Sequence, residues 1–244
     1  MAVEQLAAIG TRLAPATTDA LLAYAARATW PSGFVIYQRG APADGLFVVL
    51  EGRVVLRSRV RAGRGFIPWI ATPCETFGAE GLSATPRYST EARADDEAAT
   101  LFLSTARYRS FIREQPVHAT ALLAQILSER SALLEKLREL TTMSVEQRLV
   151  VALLRMATFE SFTRDDGCIV LTTSRYRLLC ELVGATRESV SLVLGRFAGE
   201  GLIDRKGSSL IVQPAQLAGR TEDLPLADLL AINGASLRAP TALL

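Results

Sequence analysis

Short apolar runs dominate the chain between Trp30 and Leu103. The runs "FVIY", "LFVVL", "RVVLRSRV" and "TLFL" are separated by the turn-forming stretches "PSG", "APADG", "EG" and "AGRG". Short strands with Gly and Pro between them are typical of an antiparallel barrel or sandwich. We therefore predict that residues 1–116 form an antiparallel β-roll domain, which begins with one or two short helices.

The apolar period changes after Pro116, a residue type that suits the first turn of a helix. Along residues 117–143 apolar side chains return at alternating spacings of four and three, which is the repeat of a coiled-coil seam. We predict a long helix that dimerises with the same helix of a second subunit, while a second apolar line at Leu127 and Leu134 packs on the β domain. The alternative is a core helix whose contacts all lie within one chain. The predicted dimer seam consists of Ala119, Leu123, Ile126, Arg130, Leu133, Leu137 and Leu140.

Residues 144–213 have the pattern of a winged helix-turn-helix. The first helix of the motif ends at Gly184, which permits a sharp turn through positive φ, and Thr186 is a suitable N-cap for the second helix. The stretch "GLIDRKGSSLIV" that follows predicts two short strands around a turn. The whole chain is therefore predicted to be an α+β protein with an antiparallel β-roll, a long dimerisation helix and a winged helix-turn-helix, followed by a tail over residues 214–244.

The second helix of the motif has an apolar face and a polar face. Its apolar residues return at helical spacing from Val190 to Phe197, and the opposite side is polar in its N-terminal half. Because an Arg can bond guanine bidentately and a Glu can accept from cytosine, this side predicts base reading in a DNA groove. The alternative is that Arg187 and Glu188 are solvated surface charges. The predicted DNA contacts are Arg175, Thr186, Arg187, Glu188, Ser191 and Leu192 on the helices, with Arg205 and Lys206 on the wing.

Composition limits the function classes. The net charge is only +2, so charge alone does not indicate a nucleic-acid partner. Neither a signal peptide nor an apolar run of membrane-spanning length is found, which predicts a soluble cytoplasmic protein without a membrane partner. An enzyme is not expected, because no nucleophile is patterned with a base and the chain has a single histidine.

The cysteines Cys74, Cys168 and Cys180 are scattered and form no C-x-x-C pair. This spacing argues against a disulfide framework and against a zinc site, so no metal site is predicted. Reduced cytosolic thiols are the simplest interpretation. For Cys74 and Cys180 two alternatives stay open: packing thiols, or a redox switch in which modification of Cys180 disturbs the packing of its helix.

Four longer motifs follow one another along the chain. They are "RGAPADGLFVVLEGRVVL", "FGAEGL", "SVEQRLVVALLRMA" and "LVGATRESVSLVLGRFAGEGLI". In these motifs and their order, over residues 18–213, the chain resembles the Crp/Fnr family of bacterial transcription regulators. The resemblance implies a homodimer that reads a pseudo-palindromic operator in double-stranded DNA, responds to a small effector or to thiol redox state, and has RNA polymerase as a candidate partner. A hypothesis of another class is a cyclic-nucleotide-binding module or regulatory subunit without specific DNA binding.

The resemblance also implies an effector site in the β-roll, with cAMP as the candidate effector and no other cofactor. In cAMP-binding relatives the cyclic phosphate lies at a helix N-terminus after a Gly turn, gripped by an Arg and a Ser, while a Glu holds the ribose. Here Tyr88 separates the Arg from the Ser, and leucines stand where hydroxyl residues usually meet adenine. Weak or altered cAMP binding, another effector and no effector are therefore all retained as alternatives. The residues that the resemblance assigns to this site are Gly78, Glu80, Gly81, Arg87, Ser89, Leu133 and Leu134.

One position departs from the family's reading helix. Family members typically read DNA through an outward Glu, Ser and Arg, and this chain offers Glu188 and Ser191, with Arg187 at the helix start. Leu192 stands where the final Arg usually lies. We therefore expect one guanine contact to be lost or rerouted, with Leu192 meeting a thymine methyl, and an operator that differs from the commonest family consensus.

Overall fold

The computed structural model describes residues 12–59, 65–84, 86–157, 163–164, 167–206, 209–213 and 216–217. These residues divide into two compact units, which lie within residues 1–60 with 67–134 and within 61–66 with 135–244. Of the predicted tail over 214–244, all but residues 216–217 lies outside the described residues.

The N-terminal half is built of antiparallel sheets. Its described strands form one sheet in the order β1-β8-β3-β6 and a second in the order β2-β7-β4-β5. β8 is central to the first sheet, since Thr100 pairs with Ala28 of β1 and Phe102 pairs with Phe47 of β3. The strands are β1 (Ala26–Trp30), β2 (Val35–Tyr37), β3 (Gly45–Glu51), β4 (Val54–Arg59), β5 (Gly65–Ala71), β6 (Thr76–Phe77), β7 (Glu91–Ala94) and β8 (Ala98–Ser104).

The pattern of apolar residues in β3 and β5 matches the pattern of buried positions in each strand. β5 alternates, with Ile67, Trp69 and Ala71 buried between partly exposed neighbours, as expected when one side of a strand faces a core. β3 is buried at every position from Gly45 to Val49, which is why its residues form an unbroken apolar run. Both patterns belong to strands that enclose a shared interior.

Three helices complete the core of the first unit. They are α1 (Pro15–Leu22), α2 (Thr105–Glu114) and α3 (Pro116–Thr142). Ser104 caps α2 by accepting a hydrogen bond from the Arg107 N–H at 3.3 Å. The fully buried Phe111 of α2 meets Tyr24 edge to face, with ring centroids 5.2 Å apart. The core that they share contains Leu21, Leu46, Val48, Leu101, Leu103, Phe111, Ala119 and Leu122.

The prediction that a second apolar line of α3 packs on the β domain is wrong. Leu127 and Leu134, expected to pack on the β domain, are 52% and 58% exposed. The buried face instead carries Gln125 and Glu129. Glu129 accepts from Thr76 of β6, a residue far away in the sequence that leaves no mark in a local pattern.

Three residues of the predicted seam pack inward. Ala119 is buried in the core of the first unit. Ile126 packs against the core of the first unit. A Leu140 methyl lies 2.7 Å from the position of a Cβ added at Gly184, so Leu140 packs within the second unit. The exposed apolar stripe of α3 therefore consists of Leu123, Leu127, Leu134 and Leu137, with Leu133 at its margin.

In the described residues of the second unit, the helices α4, α5 and α6 pack with a small antiparallel sheet in the order β10-β11-β9. Its fully buried side chains include Leu149, Leu153 and Met156 on the first helix and Phe197 on the last. The elements are α4 (Val145–Ala157), β9 (Ile169–Leu171), α5 (Thr173–Val183), α6 (Arg187–Gly199), β10 (Ile203–Lys206) and β11 (Ser209–Val212). A β-rich domain, a long helix and a helix-turn-helix thus follow in the predicted order.

A buried ion-pair network joins the end of α3 to this unit. The Glu139 carboxylate is only 1% exposed and pairs with Lys136 at 3.0 Å and with Arg155 of α4. Burial alone would raise the pKa of Glu139, but the charges of Arg155 and Lys136 outweigh it and hold that pKa below its usual range. Lys136 also donates to the Leu182 carbonyl at 2.6 Å, at the last turn of α5.

Gly184→Ala should lower the free energy of unfolding by about 1–2 kcal/mol, because Gly184 has φ +65°, a left-handed conformation that Cβ disfavours. Gly195→Ala is the matched control: this helical glycine has open space around its Cβ position, so alanine should be neutral or stabilise by up to about 1 kcal/mol. Calorimetric unfolding of both variants measures the difference. Equal destabilisation by the two substitutions would contradict this account of Gly184.

Candidate nucleic-acid interface

The first turn of α6 is fixed by a side-chain cap. Gly184 ends α5 in the left-handed conformation, and the Thr186 hydroxyl then accepts a hydrogen bond from the Ser189 N–H at 3.3 Å. Glu188 lies in this first turn, where backbone N–H groups and the Thr186 hydroxyl hold the pKa of its carboxyl below its usual range. The cap thus sets which residues of α6 occupy its N-terminal turn.

α6 has one buried face and one exposed face. Its inner side chains, Val190, Val193, Leu194 and Phe197, are all buried in the second unit. The four predicted base-reading residues lie on the opposite face and are exposed, and Leu192 is 78% exposed. Those four are Arg187, Glu188, Ser191 and Leu192.

Tyr176 of α5 organises this face, and sequence reasoning missed it. Its hydroxyl donates to the Arg187 carbonyl at 3.3 Å, and the Arg187 guanidinium carbon lies 5.4 Å from the centre of its ring. Burial raises the pKa of Tyr176, while a hydrogen bond with the Ser191 side chain opposes the rise. Tyr176 therefore contacts two of the predicted base readers. Only the way α5 crosses α6 reveals this, because the tyrosine lies eleven residues before Arg187.

The other predicted DNA contacts lie on different elements: Arg175 on α5, and Arg205 and Lys206 on β10 of the wing. The Arg175 guanidinium donates to the Val170 carbonyl at 2.9 Å, so it is engaged with β9 rather than projecting freely from α5. Lys206 is exposed at the end of β10 and pairs with Ser209 of β11. The backbone of Arg205 pairs with Leu210, which builds the two strands of the wing; residues 207–208 at its tip lie outside the described residues.

Near the Gly78 turn, three of the predicted effector residues already form hydrogen bonds within the chain, and two of these bond each other. Gly78 has φ +71° and precedes a 3₁₀ turn at Ala79–Leu82. Arg87 is exposed and donates to the Gly40 carbonyl at 2.8 Å. Glu80 accepts from the Ser89 N–H at 3.1 Å and also from the Ser89 hydroxyl.

Three further glycine and leucine positions complete the predicted effector set. Gly81 approaches the Gly45 backbone so closely that a Cβ would collide with it. Leu133 and Leu134 are exposed on α3. Gly81 thus has a packing role in the β-roll, and the two leucines face outward.

Two buried acids, Glu75 and Glu129, lie in the same unit and were not predicted from the sequence. Burial raises the pKa of Glu129 to about 8, and the charge of Glu80 adds to the rise. The Thr76 hydroxyl donates to Glu129 at 3.4 Å. Burial likewise raises the pKa of Glu75 to about 7, although Glu75 accepts from the Thr72 N–H at 2.8 Å.

Cys180 is buried on α5, and this burial raises the pKa of its thiol to about 11. Since the thiolate is the form that reacts with oxidants, the raised pKa supports the packing alternative for Cys180. Cys74 is partly exposed with φ +68°. In the described part of the chain no three His, Cys, Asp or Glu side chains are grouped to hold a metal ion.

Comparison with known proteins identifies both units. The family model described as cyclic nucleotide-binding domain matches residues 27–115, and the Crp-like helix-turn-helix domain matches residues 147–220. A cyclic AMP receptor protein of Thermus thermophilus is 31% identical over 211 residues, which cover 84% of this chain and 92% of that relative. The chain belongs to the Crp/Fnr family of transcription regulators.

Further relatives agree with this membership. A CRP-like cAMP-activated global transcriptional regulator of Mycobacterium tuberculosis is 25% identical over 193 residues, covering 78% of this chain and 85% of the relative. The structure of the c-di-GMP responsive global regulator CLP of Xanthomonas campestris superposes with a TM-score of 0.72 at 20% identity, covering 82% of this chain and 99% of that one, and so shares the fold.

The Crp/Fnr membership confirms several predictions made from the sequence. The fold class and the resemblance are confirmed, and the chain is a DNA-binding transcription regulator of a family that does not consist of enzymes. Among the described helices, none has both the length and the apolar character required to span a bilayer.

Tyr176→Ala should reduce the selectivity of this regulator among DNA sequences by about 1 kcal/mol, because Arg187 loses its ring contact and its backbone hydrogen bond. Tyr176→Phe keeps the ring and should recover most of the loss. Competition binding with a preferred and a scrambled DNA duplex measures the effect. The control is Tyr24→Phe, which removes a hydroxyl bonded to Glu114 in the other unit. Equal weakening on both duplexes by Tyr176→Ala would show that the tyrosine has only a structural role.

Proposed function

We propose that this regulator is a homodimer that reads a pseudo-palindromic operator in double-stranded DNA. Each subunit places α6 in a major groove, and the two half-sites are centred about one helical turn, or about 34 Å, apart. The single observation that carries the proposal is the exposed face of Arg187, Glu188, Ser191 and Leu192, which begins at a capped helix N-terminus and is held by Tyr176. Because the proposed partner is DNA, we place the action of this regulator in the cytoplasm.

Each side chain of this face has a distinct proposed role. Arg187 donates two hydrogen bonds to one guanine, and Glu188 accepts from a cytosine amino group. Ser191 bonds a base or a phosphate, while Leu192 offers only apolar contact and so favours a thymine methyl. Lys206 and Arg205 bring the wing to the phosphate backbone, which fixes register and carries no sequence information.

The proposed dimer forms through α3. Its exposed leucines at positions 123, 127, 134 and 137 line one side of the helix for about four turns, which is a large apolar surface for a chain that acts alone. Two copies of this stripe can pack as a coiled coil, because the spacings of four, seven and three residues keep the leucines on one seam. An effector in the β-roll, or a change in a thiol, then shifts the population between DNA-competent and incompetent pairings of these helices. Contact with RNA polymerase stays a prediction.

Selection of bound duplexes from random DNA by the purified chain tests the proposed function. The enriched sequences should form a palindrome with two half-sites, and affinity for the best one should fall roughly a thousandfold between about 50 and 200 mM salt. Enrichment of no sequence in any condition would favour the alternative of a ligand-binding module without specific DNA binding.

Arg187→Ala should cost about 1–3 kcal/mol at one base pair of each half-site and leave the other positions unchanged. Arg196→Ala is the matched control, since it removes the same charge from the same helix at a residue paired with Glu146 of α4. Binding to a panel of single-base operator variants separates the two. A uniform loss across the panel for Arg187→Ala would assign Arg187 to a phosphate instead.

Leu127→Glu combined with Leu134→Glu should convert the dimer to a monomer, because the substitutions place four carboxylates in one apolar seam. Sedimentation equilibrium measures the mass of the variant and of the unchanged chain. The control pair Glu135→Gln and Arg138→Gln alters residues that bond each other on the same helix, and it should remain dimeric. A monomeric unchanged chain at micromolar concentration would refute the proposed dimer.

A further inference from the structure

Two stacked tyrosines fill the space beneath the Gly78 turn. The rings of Tyr37 and Tyr88 lie 3.6 Å apart and are parallel within 8°. Both side chains are buried, with Tyr88 only 5% exposed. A Cβ placed on Gly78 would lie 3.2 Å from the Tyr37 hydroxyl and from a carbon of the Tyr88 ring. The turn therefore rests directly on aromatic rings.

The polar groups around this stack attract hydrogen-bond donors and positive charge. The Glu129 side chain, which is 8% exposed, accepts a hydrogen bond from the Thr76 hydroxyl. Burial raises the pKa of Tyr37 well above its ordinary value, and the charges of Glu80 and Glu129 raise it further, so both carboxylates act on this hydroxyl. The Thr90 side chain is a hydrogen-bonding neighbour of the buried Tyr37 hydroxyl and acts to lower the pKa of Tyr37.

Positive charge is displaced from the turn. Arg87, the cation nearest to it in sequence, is exposed and donates to the Gly40 carbonyl. The next residue, Tyr88, turns inward and joins the stack. A phosphate that approached the Gly78 turn would thus meet an aromatic ring, the Glu80 carboxylate and the buried Glu129 carboxyl group in place of a guanidinium. Backbone N–H groups alone do not offset such an arrangement, since an anion needs compensating charge when it leaves water.

We propose that Tyr88 and Glu129 determine the ligand specificity of the β-roll by closing it to cyclic nucleotides. The ligand that it accepts is uncharged or positively charged where it meets the Gly78 turn, and it donates hydrogen bonds to the Tyr37 hydroxyl or the Glu129 carboxylate. This inference concerns the ligand of the β-roll and goes beyond the proposed reading of DNA.

Calorimetric titration of the full chain with cAMP and with cGMP, in the absence of DNA, tests the inference. The unchanged chain should show no saturable binding of either nucleotide up to about 1 mM. Tyr88→Arg combined with Glu129→Gln removes the ring and the ionisable carboxyl group and supplies a guanidinium, so it should bind cAMP at least tenfold tighter than the unchanged chain. Tyr88→Ala combined with Glu129→Gln opens the same space without a buried new charge and serves if the first variant does not fold, as circular dichroism will show.

The matched control is Tyr88→Phe combined with Glu129→Asp, which keeps the ring and an ionisable carboxyl group and should not gain binding. Saturable cAMP binding by the unchanged chain with a micromolar Kd would overturn the inference. Folded opening variants that bind cAMP no tighter than the unchanged chain would overturn the assignment to these two residues. Because no DNA is present, either result is independent of whether the chain reads an operator.

Discussion

The placement of α6 depends on the ion pairs of the buried Glu139 carboxylate. This carboxylate pairs with both Lys136 and Arg155. Lys136 in turn donates to the Leu182 carbonyl in the last turn of α5, two residues before the turn at Gly184. Taking these charges out of water is costly, and loss of one partner strands the others, so such a network behaves as one unit. The end of α3, the helix α4 and the turn before α6 are therefore held together by a few charges and packed leucines.

The parts of the fold that local chemistry specifies were predictable. The helix-turn-helix could be located because Gly184 supplies a left-handed residue and Thr186 supplies a cap, and both act on their immediate neighbours. The strands between Trp30 and Leu103 could be located because Gly and Pro separate short apolar runs. In each case the residues that specify a turn or a strand boundary lie next to it in the sequence.

The inner face of α3 could not be predicted for the opposite reason. Gln125, Glu129, Lys136 and Glu139 have the residue types of a solvated helix face, yet all are buried. Glu129, Lys136 and Glu139 bond to Thr76, the Leu182 carbonyl and Arg155, which come from elements far apart in sequence. A heptad pattern counts such positions as polar and therefore does not reveal this buried face. The same limitation hid Tyr176, whose importance lies in a crossing of two helices, and the stack of Tyr37 on Tyr88.

The exposure of Leu192 has a thermodynamic consequence for recognition. A side chain that is 78% exposed in the free protein keeps its hydration shell until a groove removes it. Apolar burial of this kind contributes a negative heat capacity of binding, whereas an arginine at the same position would act mainly through charge and would be screened by salt. In the proposed DNA complex, discrimination at the base pair that contacts Leu192 would therefore depend on temperature more than on ionic strength. Arg187 and Leu192 would then read DNA through two different forces, one screened by salt and the other set by apolar burial.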